Sequence, residues 1–123
     1  MLRITKFNHT SIAVPPDKHD KVVWFYETVL GLKKIPPPPN MSSVWWYEIG
    51  DKIIHLAFDP RFIKVTHLRH IAIEVDDINE ARKHFQRFNV NIRETVAIPN
   101  YDRFFVIDPF DNQIEILGPK IGA

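Results

Sequence analysis

Polar and apolar residues alternate with a period of two in several short segments, and two of these segments are nearly the same. NHTSIAV at 8–14 and RHIAIEV at 69–75 each begin an alternating apolar run with a histidine. Such alternation predicts a strand with one apolar face. When His9 is aligned with His70, the two halves of the chain match element by element. The pattern therefore predicts an internal repeat.

Each of these strands leads into a predicted amphipathic helix that opens on an aspartate. DKHDKVVWFYETVL at 17–30 has one apolar face and stops at Gly31. The second helix, DDINEARKHFQRF, begins at Asp76 or Asp77, and Asn89 is its expected stop. A strand followed by a helix thus opens each half of the chain.

Three further short strands follow each predicted helix. The last two strands of each half form a hairpin, with Gly50-Asp51 as a two-residue turn and residues 108–112 as a longer loop. The prolines of residues 35–40 exclude a central strand and predict a stiff loop. Each half is therefore predicted to be a βαβββ module of an α+β fold. The first module covers about residues 5–58 and the second about 67–119, within a single domain over 1–123. The predicted strands are GLKKI, SVWWYEI and KIIHLAF, then VNIRETV, RFFVID and QIEIL.

Composition excludes several classes of protein. With 123 residues, 45% of them hydrophobic and 25% charged, the chain is expected to be one globular domain. A net charge of +1 argues against nucleic-acid and membrane partners. The absence of cysteine excludes disulfides and thiolate metal sites and fits a cytoplasmic protein. No segment reads as a signal peptide or a membrane span.

Strand alternation places four potential metal ligands in equivalent positions of the two modules. Apolar residues of the first strands, such as Ile12 and Ile71, are expected to face the helices, so the histidines point to the opposite face. We call this opposite face the ligand face. In the final strands, alternation gives the same result for the side chains of His55 and Glu115. One histidine is usually only a solvated side chain, but matched positions in two repeats favour a metal site formed by His9, His55, His70 and Glu115.

Three imidazoles and one carboxylate suit borderline divalent ions such as Zn, Ni, Co, Mn and Fe. If the two sheets curl together, these side chains converge. An octahedral ion with four protein ligands would keep two positions open for substrate or water.

The motifs together resemble the vicinal oxygen chelate superfamily, which includes glyoxalase I, fosfomycin-resistance proteins, methylmalonyl-CoA epimerase and extradiol dioxygenases. The resemblance extends over nearly the whole chain. The segments that carry it are FNHTSIAV at 7–14, WFYETVLGL at 24–32, WYEIGDKIIHL at 46–56, RHIAIEVDDINEARKHF at 69–85 and FFVIDPFDNQIEIL at 104–117.

The resemblance implies that the two modules form a curved mixed sheet around a metal-binding cleft, often with two chains per functional unit. It therefore implies a homodimer and a small-molecule substrate. The family's ligand positions fall on the same four residues that alternation selects. Two positions depart from the family pattern. Asp111 replaces a usual glycine, and His55 stands where glyoxalase I and the epimerase carry glutamate or glutamine.

By this resemblance the chain is expected to be a metal-dependent, glyoxalase-like lyase or isomerase acting on a small oxygen-chelating substrate. Glu115 is the matched ligand that can also act as a general base, taking a proton from carbon next to a metal-bound carbonyl. Three residues are candidates for the substrate pocket: Trp46 as a wall, Phe105 opposite Glu115, and Arg103 for an anionic group.

Three other functions remain open from the sequence. One is an Fe(II) dioxygenase that uses His9, His70 and Glu115 as its triad, although His55 would crowd the position that oxygen needs. Another is a non-catalytic binder such as the bleomycin-resistance proteins, which generally lack the metal ligands. The last is a fosfomycin-type transferase, for which Arg103 alone suggests phosphonate binding.

Overall fold

A computed structural model describes residues 1–64 and 68–120. The chain divides into two compact units, Met1–Ile63 and Lys64–Ala123. These units correspond to the two predicted modules, and residue 67, where the second was predicted to begin, lies outside the described residues. The single domain over 1–123 stays a prediction. Within the described ranges no helix is long and apolar enough to cross a membrane.

The first unit is a four-stranded mixed sheet with one helix. Its strand order is β1-β4-β3-β2, with β1 parallel to β4 and the other neighbours antiparallel. The helix α1 continues without a break into a π-helical segment. The elements are β1 (His9–Val14), α1 (His19–Val22), the π-helical segment (Val23–Val29), β2 (Lys33–Ile35), β3 (Val44–Ile49) and β4 (Lys52–Phe58).

The second unit repeats this arrangement with the order β5-β8-β7-β6, and β5 lies parallel to β8. The prediction of an α+β fold made of two βαβββ modules is confirmed. The elements of this unit are β5 (His70–Glu74), α2 (Ile78–Arg87), β6 (Ile92–Glu94), β7 (Tyr101–Ile107) and β8 (Gln113–Pro119).

Each module has its core between the helix and the apolar face of the sheet. In the first module the Tyr26 and Tyr47 rings lie 6.4 Å apart, and in the second Phe85 and Phe104 lie 5.9 Å apart. All four side chains are buried, as period-two and helical patterning require. The other fully buried side chains among the described residues are Val14, Val22, Phe25, Val29, Ile54, Leu56, Ile78, Val106, Ile114 and Ile116.

The first helix starts later than the sequence predicts. Its N-cap is Lys18 rather than Asp17, and no side chain caps it. The carbonyl of Lys18 accepts the first helical hydrogen bonds, from the N–H groups of Lys21 and Val22. Pro16 and Asp17 lie in a turn before it. A turn that includes Pro16 and Asp17 therefore overrides the capping preference of aspartate.

The second helix starts and stops where the sequence predicts. The Asp77 carboxylate accepts hydrogen bonds from the N–H groups of Asn79 and Glu80, both at 3.1 Å, so Asp77 is a true N-cap. Asn89 follows the helix with a φ of 58°, the left-handed conformation that ends helices.

Arg82 ties α2 to the neighbouring strands. Its guanidinium makes paired contacts of 3.0 Å with Glu94 in β6 and 3.1–3.2 Å with Asp102 in β7. It also lies over the Phe104 ring. The hydrogen bond to Arg82 is the main cause that lowers the pKa of the Asp102 carboxyl.

Replacing Arg82 by methionine is expected to lower the free energy of unfolding by about 1–2 kcal/mol at neutral pH. Because Asp102 has a lowered pKa in the folded state, its ionised form stabilises the fold above its unfolded pKa, and this contribution is lost as the pH falls through the folded pKa. The difference in free energy of unfolding between wild type and Arg82→Met should therefore become smaller below about pH 4. Urea denaturation at several pH values measures it. Lys83→Met, which loses only an exposed contact to Glu80, should change little; a pH-independent gap would contradict the Asp102 assignment.

The loop between β7 and β8 holds Asp111 in a strained conformation. Its φ is 67°, the region that the family's usual glycine adopts freely. Asp108 organises this loop by accepting hydrogen bonds from the N–H groups of Phe110 and Asn112 and from the Asn112 amide. The expected strain at position 111 is therefore present.

Asp111→Gly is expected to raise the free energy of unfolding by about 0.5 kcal/mol, because glycine adopts a positive φ without steric cost. Asp111→Val should lower it by about 1–2 kcal/mol, since a β-branched residue tolerates this region worst. The exposed Lys64–Asp111 contact of 3.9 Å adds little. Chemical denaturation of the pair tests the ranking, and a valine variant as stable as wild type would contradict it.

Candidate functional site

The ligand face of the first module brings two of the predicted ligands together. His9 is in β1 and His55 in β4, and these strands are parallel neighbours. His55 pairs with Ser11 in this register, so the two histidines are diagonal neighbours on one face. Their rings stack with centroids 4.0 Å apart and planes 18° apart.

Trp46 lies on the other side of His55. The two-residue turn at Gly50-Asp51 pairs Trp46 with His55, which confirms the predicted register. Their rings stack at 4.5 Å with an interplanar angle of 7°. Since β1 and β3 flank β4, the order across the sheet is His9, His55, Trp46. The indole Nε1 of Trp46 is buried and has no hydrogen-bond partner among the described residues.

The environment of His55 favours its neutral form. Its side chain is mostly buried. Burial is the main cause that lowers the pKa of His55, and the charge of nearby His9 acts in the same direction. Neutral imidazole is the form that binds a metal ion.

The second module brings its two predicted ligands together in the same way. His70 in β5 and Glu115 in β8 are diagonal neighbours, and His70 Nε2 lies 3.1 Å from Glu115 Oε1. Phe105 in β7 pairs with Glu115, as predicted, and its ring meets the His70 ring edge-on at 5.1 Å. Glu115 is 7% exposed, so water compensates little of its charge.

Both strand-opening histidines have Nδ1 bound to an oxygen atom. His9 Nδ1 lies 2.8 Å from Asn8 Oδ1, and His70 Nδ1 lies 2.8 Å from the carbonyl oxygen of Leu68. A carbonyl only accepts, so His70 Nδ1 carries a proton and donates it. A neutral ring with its proton on Nδ1 would present the Nε2 lone pair to the Glu115 carboxylate. Two electron-rich atoms at 3.1 Å require a proton or a cation between them.

Arg103 contacts one of the predicted ligands, Glu115. Its Nε donates to the Val96 carbonyl at 2.9 Å, and its Nη1 lies 3.4 Å from Glu115 Oε1. Its side chain is 18% exposed. Arg103 was predicted to hold a substrate anion, and the structure adds a direct contact with Glu115.

Sequence reasoning missed Arg93. Its guanidinium lies 4.7 Å from the Phe105 ring centroid, and its Nη2 donates to Gln113 Oε1 at 2.6 Å. The predicted strand VNIRETV contains Arg93 and could have indicated that this residue lies next to β7. The pairing of Arg93 with Phe105 could be seen only in the structure.

Each module therefore brings together one pair of the predicted ligands. Within residues 1–64 and 68–120, no group of three or more His, Asp or Glu side chains is arranged to hold a metal ion. The union of the two pairs in a single site, as alternation and the resemblance suggest, stays a prediction.

Comparison with protein families agrees with the fold and the motifs. The Glyoxalase/Bleomycin resistance protein/Dioxygenase superfamily profile matches residues 6–116. The chain belongs to this superfamily, which is the vicinal oxygen chelate superfamily that the motifs resemble.

Solved structures support the same assignment. A protein assigned to the glyoxalase family from Bacillus anthracis has 26% sequence identity and a TM-score of 0.89, with 98% of this chain and 99% of that chain covered. The fosfomycin resistance protein FosX from Listeria monocytogenes has 14% identity and a TM-score of 0.77, with 97% of each chain covered. Lactoylglutathione lyase from Agrobacterium tumefaciens has 18% identity and a TM-score of 0.72, with 98% of each covered. The last two likenesses concern the fold alone. No curated protein matches significantly.

Proposed function

We propose that the chain is a metal-dependent lyase or isomerase of the glyoxalase type, acting on a small substrate that chelates the metal through oxygen atoms. Superfamily members commonly use divalent metals and bind small molecules. The observation that carries the proposal is the arrangement at His70. Its Nδ1 donates to a backbone carbonyl while its Nε2 faces Glu115 Oε1 at 3.1 Å.

The residues present fit a divalent metal ion. A metal-binding histidine normally gives its second nitrogen to an oxygen acceptor, as His9 and His70 do here. His9, His55, His70 and Glu115 are the proposed ligands, and this set suits Zn, Ni, Co, Mn or Fe. When bound, the ion would supply Lewis-acid polarisation of the substrate oxygens.

Glu115 is the proposed general base. Its carboxylate is largely removed from water, and its Oε1 lies near both His70 and Arg103. Such contacts hold the carboxylate in one orientation, which proton transfer needs. Trp46 and Phe105 occupy equivalent positions opposite His55 and Glu115, and we assign them as walls of the substrate pocket.

Metal binding tests this proposal most directly. The metal-free protein would be titrated with Mn, Fe, Co, Ni and Zn and analysed for bound metal, and the visible spectrum of the cobalt form would report nitrogen and oxygen ligation. Near-stoichiometric binding with six-coordinate cobalt is expected. A preference for Ni, Co or Zn would direct assays to lyase and isomerase substrates, whereas Fe(II) with oxygen consumption would favour the dioxygenase. No tight binding of any ion would leave a non-catalytic binder and overturn the proposal.

We also propose that the protein is a homodimer, since superfamily members often form dimers. Large apolar side chains near the N-terminus support this, because Leu2, Ile4 and Phe7 are strongly exposed in the single chain. Light scattering coupled to gel filtration would measure the mass, and a monomer at micromolar concentration would contradict the proposal.

A further inference from the structure

The repeat makes it possible to compare the surroundings of the two ligand pairs position by position. In the first module His55 pairs with Trp46, and Trp46 pairs in turn with Ile35 of β2. Two residues further along β4, Ala57 pairs with Val44. The side chains at these two positions of the ligand face, Ile35 and Val44, are aliphatic, whereas the charged Glu48 and Lys33 lie beyond Trp46 at the other end of β3 and β2.

The equivalent positions in the second module are cationic. Glu115 pairs with Phe105, and Phe105 pairs with Arg93 of β6. Two residues further along β8, Leu117 pairs with Arg103. Two guanidinium groups thus stand where the first module has two aliphatic side chains. The modules share a fold, so the fold does not require this difference in charge.

Both guanidinium groups are held in place by their surroundings. Arg93 lies over the Phe105 ring and donates to Gln113, a neutral partner. Arg103 uses Nε for the Val96 carbonyl and Nη1 for Glu115, and these two contacts do not involve the two N–H groups of its Nη2. A mostly buried arginine is costly unless its charge is compensated.

Among the described residues, the two guanidinium groups beside Phe105 contact a single carboxylate; Arg103 is mostly buried, whereas Arg93 is exposed. Arg93 and Arg103 carry two positive charges, and Glu115 is the carboxylate in contact with one of them, at the long distance of 3.4 Å. Glu74, at the end of β5, is exposed. A carboxylate that coordinates a cation would compensate Arg103 still less.

We propose that Arg93 and Arg103 bind an oxyanion of the substrate, a carboxylate or a phosphate-type group, separate from the oxygens that chelate the metal. This inference rests on the proposed function, in which the substrate chelates the metal. It narrows that substrate to an anionic compound. Arginine suits this role because its planar N–H groups match the oxygen atoms of carboxylate and phosphate.

The test observes the two arginines directly in the metal-free protein. Their Nε–Hε signals in ¹⁵N NMR spectra would be assigned by their loss in Arg93→Lys and Arg103→Lys. Inorganic phosphate and acetate would then be titrated at constant ionic strength, with the exposed Arg87 of α2 as the internal control. Saturable shifts of both signals, well beyond those of Arg87, are expected with at least one anion.

The two anions separate the two sources of an oxyanion. Saturation by phosphate alone would support a phosphate-type group, and saturation by acetate would support a carboxylate. Arg103→Gln should weaken the binding observed at Arg93 by about tenfold, the loss expected for a hydrogen bond between charged groups. If Arg103→Gln keeps the amide spectrum of a folded protein and leaves the Arg93 response unchanged, the two arginines do not share one anion site. Shifts no larger than those of Arg87 would overturn the proposal itself.

This result is independent of the metal proposal. The anion titration uses no metal, so a failure to bind metal does not affect it. If Arg103 served only to position Glu115, metal affinity would fall in Arg103→Gln while wild type would show no specific anion response. That outcome would overturn the anion site and leave the metal site intact.

Discussion

Glu115→Ala is expected to lower the affinity for the preferred divalent ion at least about 100-fold. Loss of a residue that only supports a ligand costs 10–100-fold, so loss of a ligand should reach or exceed the upper end. Glu115 is also the one carboxylate of the proposed ligand set. Its removal would leave only neutral imidazole ligands, which attract a cation less strongly. Isothermal titration of the metal-free protein measures the change. Glu74→Ala, which removes an exposed carboxylate from the neighbouring strand β5, is the matched control.

Single alanine replacements of His9, His55 and His70 should weaken the same binding. His84→Ala, on α2, should not. Loss of binding in the second-module variants alone would mean that the first module contributes no ligand, and the four-ligand site would then be wrong.

Mixing two variants that have lost metal binding tests whether the two proposed ligand pairs of one site come from one chain. In a dimer whose sites combine modules of different chains, a mixture of His9→Ala and Glu115→Ala yields hybrid dimers with one intact and one doubly defective site. Part of the metal binding would then return after the variants are unfolded and refolded together. With both pairs contributed by the same chain, no binding would return.

Gly118→Ala is expected to lower the free energy of unfolding by about 1–3 kcal/mol, the usual cost of overpacking. A Cβ at Gly118 would lie 2.9 Å from the carbonyl oxygen of Val75 and 3.4 Å from Ile78 Cβ. The carbonyl belongs to the backbone and cannot rotate away, so β5 must move relative to β8. These two strands hold His70 and Glu115 at 3.1 Å, and metal affinity should fall as well.

Gly31→Ala provides the comparison for this effect. Gly31 has a φ of 70° and nothing near its Cβ position, so alanine there strains the backbone of the first module without displacing a strand. Its stability should fall while metal affinity stays near the wild-type value. If Gly118→Ala retained full affinity, the spacing of β5 and β8 would not control the ligand pair.

The sequence was a good guide to features that follow from local periodicity. Alternation along each strand decided which side chains face the helix, because successive residues of a strand point to opposite faces. It therefore placed His55 and Glu115 on the ligand face correctly. The two-residue turn at Gly50-Asp51 also gave the pairing of Trp46 with His55, since loop length sets hairpin register.

Other features depend on competition between alternative local hydrogen-bonding patterns. The N-cap of the first helix is Lys18 rather than Asp17 because Pro16 and Asp17 form a turn before the helix. The π-helical segment is closed by a hydrogen bond from the Leu30 N–H to the Phe25 carbonyl, five residues back. Residue preferences do not distinguish this segment from an α-helix.

By itself, then, the sequence determined the repeat, the α+β class and the four candidate ligands, because each rests on periods that a strand or helix imposes on nearby residues. Only the tertiary structure decided what each candidate ligand touches. The contacts of Arg103 with Glu115 and of Arg93 with Phe105 join separate strands, and their geometry depends on sheet register and rotamers. The Nδ1 contact of His70 likewise needed the path of the backbone before β5, because a hydrogen bond to a carbonyl depends on where that carbonyl points.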